Sequence, residues 1–153
     1  MWIPLENTDP VLYHAPTRKS VAVFGAVCPA DGRLVTCRGE TFNAETFQAF
    51  LGTVLRHARL DRKMVLVVDN ARHHHAAALR PWLHRHRQTI QLDFLPPYSP
   101  DLNPIERVWK LTRHLCTHNR YFPELEELVV AVFERFRLWQ KPNRILHQLC
   151  AII

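Results

Sequence analysis

One uninterrupted apolar run, Met64–Val68, ends directly at an acidic residue, Asp69. Five apolar residues in succession leave no polar face, which is typical of a strand covered on both faces of a parallel sheet. In sheets of this kind, ligands collect at the carboxyl ends of the strands. The run therefore predicts a strand that presents a carboxylate at a binding edge, although an Asp after a strand is also a common turn or cap residue.

A second acidic residue, Glu106, lies in the first turn of a predicted helix. The helix follows a proline-punctuated loop, residues 95–104 (LPPYSPDLNP), that can continue as neither helix nor strand. Asn103, Pro104 and Glu106 match an N-cap, a proline at N1 and the Glu of a capping box. The same position suits catalysis, because a Glu in the first turn can reach back toward a strand end. The presence of Asp69 as well favours the catalytic interpretation.

Two-metal phosphoryl transfer gives a chemical reason for such a pair. Mg²⁺ takes oxygen ligands and is usually held by one or two carboxylates together with phosphate oxygens and water. Two such ions activate the attacking oxygen and stabilise the leaving one, and they normally also require a carboxylate that bridges them. Asp69 and Glu106 would supply only the flanking ligands.

The remaining pattern is that of a mixed α/β sheet, because a hairpin is followed by alternating strands and helices. A turn at Asp31–Gly32 joins the first two strands, and Asn43 is a good N-cap for the first helix. The predicted strands are residues 21–27, 34–37, Met64–Val68 and 90–95. The predicted helices are residues 44–59, 76–87 (with Pro81 as a kink or a second start), 104–117 and 123–140.

Composition limits the class of protein. A chain of 153 residues predicts one domain, and the formal charge of +6 favours a polyanionic partner, although solvated Lys and Arg explain many basic proteins equally well. The four cysteines form no C-x-x-C pair and indicate reduced thiols. There is no secretory signal and no apolar run of membrane-spanning length, so we expect a cytoplasmic protein with no membrane partner.

The segments VVDNARHH and LPPYSPDLNPIERVWK strongly resemble the catalytic core of DDE transposases of the mariner superfamily, especially its bacterial insertion-sequence branch. The segment HAPTRKSVAVFGAV is similar to the second-strand region of that family. The resemblance implies a ribonuclease H-like fold, Mg²⁺ or Mn²⁺ as cofactor, and DNA cleavage and strand transfer at transposon ends. It places the second family Asp at Asp69 and the family Glu at Glu106, as catalytic residues and metal ligands.

The first Asp of that family has no counterpart. Trp2 resembles a Trp that follows the first strand, which would place the strand and its Asp before Met1. Asp9 lacks an apolar strand and Asp31 lies in a turn, so neither is expected to substitute. We therefore expect residues 1–153 to be a single, N-terminally truncated catalytic domain that lacks the central strand and any helix-turn-helix domain. The prolines in residues 1–20 make that segment a poor central strand.

Basic residues around the predicted site suggest a phosphate track, although a solvated face explains them as well. The expected DNA contacts are Arg72, His73, Arg107, Lys110 and Arg113, extended by Arg80, Arg85, Arg87 and His114. Zinc is not expected at His73, His74 and His75, because consecutive histidines point in different directions. The predicted function is transposase-type DNA cleavage and transfer, impaired by loss of the first Asp. The alternative is a non-catalytic DNA-binding or dimerising remnant, and the expected partners are DNA, a second copy, or an upstream-encoded transposase half.

Overall fold

The computed structural model describes residues 20–97 and 102–151. The strands are β1 (Ala22–Val27), β2 (Leu34–Gly39), β3 (Met64–Val68) and β4 (Ile90–Phe94). The helices are α1 (Ala44–Leu55), α2 (Arg80–Arg85), α3 (Pro104–Thr112), α4 (Leu125–Trp139) and α5 (Arg144–Cys150). Short 3₁₀ turns, Arg72–His75 and Ala77–Leu79, precede α2, and a π-helical turn, Arg113–Thr117, follows α3.

The four strands form two separate two-stranded sheets. β1 pairs antiparallel with β2, from Ala22 opposite Gly39 to Val27 opposite Leu34. β3 pairs in parallel with β4, from Met64 opposite Ile90. Within residues 20–97 and 102–151 no strand joins the two sheets. The predicted mixed α/β class with flanking helices is confirmed.

The first hydrophobic core connects both sheets through α1. Asn43 begins this helix as predicted, and its side chain and that of Thr46 form a reciprocal capping box. The helix then turns the predicted apolar stripe toward the strands. The buried members of this core are Phe24, Phe47, Phe50, Leu51, Val54, Val68, Leu79, Trp82 and Ile90.

The second core covers only the β1–β2 sheet. Its buried members come from β2 and from α3, α4 and α5: Leu34, Val108, Phe136, Trp139, Leu146 and Cys150. No residue of β3 or β4 belongs to it. Val65 and Val67 consequently remain 54% and 46% exposed. The prediction that β3 is covered on both faces was therefore wrong for the described residues, because the helices that would cover its second face pack on β1 and β2 instead.

Several helix boundaries differ from the sequence prediction for local reasons. α1 ends at Leu55, and the amides of His57 and Ala58 donate to carbonyls three residues back, as in a tightened last turn. Proline is tolerated in the first turn of a helix but not in its interior. The predicted helix 76–87 is therefore replaced by 3₁₀ turns and a short α2, which begins at Arg80 with Pro81 in its first turn. α5 was not predicted, since its seven residues are too few to show a clear period.

Candidate active site

Asp69 and Glu106 line the same cleft, a cavity of about 330 Å³ between β1, β3 and α3. Asp69 is the residue immediately after β3, and Glu106 is the third residue of α3. The remaining walls include Phe24, Gly25 and Phe47. The structure thus brings together the two carboxylates that the sequence analysis selected, from two separate elements.

The carboxylate of Asp69 is oriented by its own loop. Its Oδ1 accepts a hydrogen bond from the backbone amide of Ala71 at 3.1 Å and lies 2.8 Å from Nδ1 of His74. The side chain of Asp69 is 58% exposed, whereas that of His74 is only 11% exposed. A largely buried imidazole therefore holds one oxygen of an otherwise accessible carboxylate, which limits the directions in which that carboxylate can point.

Glu106 does not serve as a helix cap. Asn103 is the N-cap of α3 and Pro104 begins the helix, as predicted, but no side-chain capping hydrogen bond forms there. The alternative interpretation of Glu106 as the Glu of a capping box is therefore not supported. A Cβ at Gly25 would lie 2.5 Å from the ring of Trp109, so the glycine allows α3 to lie directly against β1. This close approach brings the first turn of α3, and Glu106 with it, to the cleft.

His73, the predicted DNA contact, also lines the cleft but does not contact Asp69; the contacting histidine is His74. The His73 ring lies among phenylalanines, with its centroid 6.0 Å from those of Phe24 and Phe42. Burial lowers the pKa of His73, the neighbouring His74 lowers it further, and the Asp69 carboxylate opposes the shift. His73 is thus held in its neutral form more than an exposed histidine would be.

Asn70 is a site residue that the sequence analysis missed. Its Nδ2 donates to the carbonyl of Leu95 at 2.5 Å, and its Oδ1 lies 3.1 Å from Nε2 of His75. Leu95 follows β4, so Asn70 ties the carboxyl ends of the two parallel strands together. The signal available in the sequence was an Asn next to the predicted catalytic Asp, where side-chain hydrogen bonds to nearby backbone are common.

The predicted DNA-binding residues divide into two groups. Arg72, Lys110 and Arg113 are exposed. Arg107 instead donates from Nη1 to the carbonyls of Leu149 and Ala151, at 3.1 and 3.2 Å. That guanidinium neutralises the carbonyl end of α5. The bond gives Arg107 a structural role that the sequence pattern did not indicate.

The chemistry of the donor set fits a hard divalent cation. Mg²⁺ is commonly held by one or two protein carboxylates, with the other positions taken by phosphate and water. Among residues 20–97 and 102–151 no three His, Cys, Asp or Glu side chains converge on one point. Asp31 is hydrogen-bonded to Arg33 and lines a different cleft, whereas Asp9 lies outside the described residues. The two carboxylates therefore fit part of a metal site.

None of the helices described is both long and apolar enough to cross a bilayer.

Comparisons with known proteins identify the family. A family model described as DDE superfamily endonuclease matches residues 2–129. An uncharacterized protein of Sinorhizobium fredii, y4pE/y4sA, is 34% identical over 107 residues, which cover 70% of this chain and 76% of that protein. The Tcb1 transposase of Caenorhabditis briggsae is 32% identical over 141 residues, or 82% of this chain and 50% of the transposase. The chain thus spans half the length of that relative.

Solved structures give the same fold. The catalytic domain of the Mos1 mariner transposase aligns with a TM-score of 0.62 at 21% identity, covering 85% of this chain and 67% of that one. A further structure of that domain was determined with Mg. The ribonuclease H-like fold expected from the sequence is confirmed.

Proposed function

The chain belongs to the DDE superfamily endonucleases, of the mariner and insertion-sequence type, and from that premise we propose that it acts on DNA at transposon ends. The proposed reaction is cleavage and transfer of a DNA strand by metal-assisted phosphoryl transfer. The observation that supports this proposal most directly is that Asp69 and Glu106 line one cleft from two rigid elements. We further propose that residues 1–153 form a single catalytic domain.

Asp69 and Glu106 would hold Mg²⁺ or Mn²⁺ against the scissile phosphate. A divalent cation bound there supplies activation of the attacking oxygen and stabilisation of the leaving oxygen. The chain contributes orientation: His74 holds one Asp69 oxygen at 2.8 Å, and Asn70 fixes the strand end from which Asp69 projects. The exposed Lys110 and Arg113 extend from the same helix as Glu106 and would contact DNA phosphates.

A nicking assay tests the proposal. Supercoiled plasmid carrying the genomic DNA that flanks the gene is incubated with the chain in Mg²⁺ or Mn²⁺. We expect metal-dependent nicking, and we expect Asp69→Ala and Glu106→Ala each to slow it about 100-fold or more, since even outer-shell metal partners are worth about 10- to 100-fold. Glu134→Ala, an exposed glutamate of α4, is the matched control and should cleave at the parent rate.

The competing function is a remnant that binds DNA without cleaving it. The observation that favours it is that, among the described residues, no group of three His, Cys, Asp or Glu side chains could hold a metal ion, so a carboxylate that would bridge two ions has no candidate there. DNA binding with no nicking in either metal would support the remnant and contradict the enzymatic proposal. If Asp69→Ala nicks DNA at the parent rate, the cleft that contains Asp69 and Glu106 is not the site of cleavage.

A further inference from the structure

The loop between α1 and β3, residues 56–63 (RHARLDRK), carries half of the net charge of the chain. It contains four arginines or lysines and one acidic residue, Asp61, so its formal charge is +3, against +6 for the whole chain. All five of these charged residues are exposed. Such a concentration of exposed cations favours an anionic partner of many charges. The loop is therefore a candidate interaction surface.

Asp61 gathers two of the arginines around one carboxylate. Nε and Nη2 of Arg59 donate to it at 2.9 and 3.2 Å, and Nη2 of Arg62 lies 3.4 Å from its Oδ2. A guanidinium has several N–H donors, so donors of both arginines stay available to a second partner. The group of two arginines and one aspartate also keeps a net positive charge.

Three more cations lie beside this group and have no acidic partner in the described part of the chain: Arg56, Lys63 and Arg87. Nη2 of Arg56 donates to the hydroxyl of Thr53, and Nη1 of Arg87 donates to the carbonyl of His84, both at 3.1 Å. Neither bond neutralises the charge. Arg87 borders the same shallow cleft as Lys63, so it extends the charge of the loop. We call five residues the basic surface: Arg56, Arg59, Arg62, Lys63 and Arg87.

The basic surface lies at the opposite end of β3 from the cleft that contains the two carboxylates. Lys63 immediately precedes β3 and Asp69 immediately follows it. A strand rises about 3.3 Å per residue, so these two residues are separated by roughly 20 Å. Arg87, which we expected in an extension of the phosphate track, lies at the Lys63 end. The basic surface is therefore distinct from Lys110 and Arg113 on the helix of Glu106.

Helix termini do not account for the whole basic surface. The negative end of a helix dipole favours cations within the last turn. This explains Arg56, which follows α1 directly, and Arg87, which lies two residues after α2. Arg59, Arg62 and Lys63 lie beyond the last turn of α1. Their charge therefore has no partner of that kind.

A lipid surface fits the loop less well than a nucleic acid does. Leu60 is fully exposed at the tip of the loop. One leucine, however, offers far less apolar surface than an acyl chain, and a single acyl chain alone gives only marginal membrane binding. Interactions with phosphates require no apolar anchor.

The two ends of β3 differ in how they would receive a phosphate when no divalent cation is bound. The cleft then presents the carboxylates of Asp69 and Glu106, which repel a phosphate. The basic surface presents five cations against the single carboxylate of Asp61. Affinity for phosphates that does not depend on a metal ion is therefore expected at the basic surface.

We propose that the basic surface is a second DNA-contact surface, which binds the phosphate backbone of a DNA duplex at a distance from the cleft. Each phosphate contact releases condensed counterions, so the interaction strengthens as salt is lowered. Only one part rests on the proposed function: that the duplex bound here is also the one that is cleaved.

Duplex binding in EDTA tests the proposal, because no cleavage occurs without a metal ion. A fluorescein-labelled duplex of arbitrary sequence is titrated with the full chain at several salt concentrations, and anisotropy is measured. The triple variant Arg56→Gln, Lys63→Gln, Arg87→Gln removes three charges and leaves the Asp61 ion pairs intact. We expect its slope of log K against log salt to be shallower by about 2.7, since each phosphate contact contributes about 0.9.

A matched triple variant controls for the change in net charge. Arg137→Gln, Lys141→Gln, Arg144→Gln removes the same charge from exposed residues of α4, α5 and the turn between them. Its slope should equal that of the parent.

Lysine acetylation gives a second readout in the unaltered chain, where no variant has to fold. We expect bound duplex to slow the acetylation of Lys63 several-fold, as measured by mass spectrometry. The acetylation rate of Lys141, an exposed lysine outside the basic surface, should not change.

Four results would overturn the proposal: a parent-like slope in the triple variant of the basic surface, an equal loss in the matched triple variant, no protection of Lys63, or tighter binding to phosphatidylserine-containing vesicles than to the duplex. Failure of the proposed function is a separate result. If Asp69→Ala nicks DNA at the parent rate while the slope still depends on the basic surface, that surface stands and the proposed function fails. If nicking requires Asp69 while the slope does not depend on the basic surface, the reverse holds.

Discussion

The contact between Asp69 and His74 shows how one turn of backbone controls a site. The 3₁₀ turn Arg72–His75 brings Nδ1 of His74 within 2.8 Å of the Asp69 carboxylate. The elements that carry the two carboxylates could be predicted from the sequence, because a strand end and a helix start are marked locally. The choice between His73 and His74 could not, because the orientation of consecutive residues in a short turn has no periodic signature.

The pKa of His73 gives a prediction for stability against pH. Burial keeps the pKa of folded His73 below its ordinary value of 6.5. Unfolded His73 therefore takes up a proton as pH falls through 6.5 while the folded residue stays neutral, so the free energy of unfolding decreases in that window. Above pH 6.5 both states are neutral and the full contribution is present.

Urea denaturation of the parent and of His73→Gln at pH 7.5 and 5.5 measures this effect. The stability advantage of the parent over the variant should be smaller at pH 5.5 than at pH 7.5. The same substitution at the exposed His84 is the control for titration of histidines in general. A stability advantage of the parent that is larger at pH 5.5 than at pH 7.5 would contradict the expected pH dependence.

At the scale of elements, α5 is anchored to the β1–β2 turn. Asn143 donates from Nδ2 to the carbonyl of Gly32 at 2.7 Å, and Nδ1 of His147 lies 2.8 Å from the carbonyl of Pro29. Gly32 has a φ of +74°, and a Cβ there would meet the carbonyl oxygen of Asn143 and, at 2.5 Å, the amide nitrogen of His147. The turn thus requires glycine for its backbone and for the approach of α5.

Gly32→Ala should therefore destabilise the chain by about 2 kcal/mol or more, through the cost of a positive φ and displacement of α5. Gly52→Ala is the control, because Gly52 lies in α1 with no atom within 4 Å of an added Cβ. That change should instead stabilise the chain by roughly 0.5–1 kcal/mol, as alanine does in a helix interior. Equal unfolding midpoints for the two variants in urea would contradict this account.

The bounds of β3 could be predicted from the sequence, but its surroundings could not. Five apolar residues between polar neighbours mark where the strand begins and ends. Whether Val65 and Val67 are covered depends on which helices pack beside them, and the sequence that decides this lies far away in the chain. The same reason explains why Arg107 looked like a DNA contact, since its partners at the end of α5 are more than 40 residues away.

For the whole molecule, the net charge of +6 predicts salt-dependent DNA binding. Affinity for a DNA duplex should fall steeply as salt rises, and Lys110→Gln and Arg113→Gln should each reduce the slope of log K against log salt by about one. Arg137→Gln, on the exposed side of α4, is the matched control. Filter binding at several salt concentrations measures the slope. A DNA affinity that does not change with salt would contradict the proposed phosphate contacts.

The central claim is that one divalent cation contacts both Asp69 and Glu106, and a double-mutant cycle on Mn²⁺ binding tests it most directly. Binding is followed by the electron paramagnetic resonance signal of free Mn²⁺, for the parent, Asp69→Asn, Glu106→Gln and the double variant. If both carboxylates contact the same ion, either single change should weaken Mn²⁺ binding. The affinity of the double variant should then be only slightly lower than that of the single variant that binds Mn²⁺ more weakly. Losses that multiply as for independent sites, or a single variant that binds Mn²⁺ like the parent, would contradict the claim.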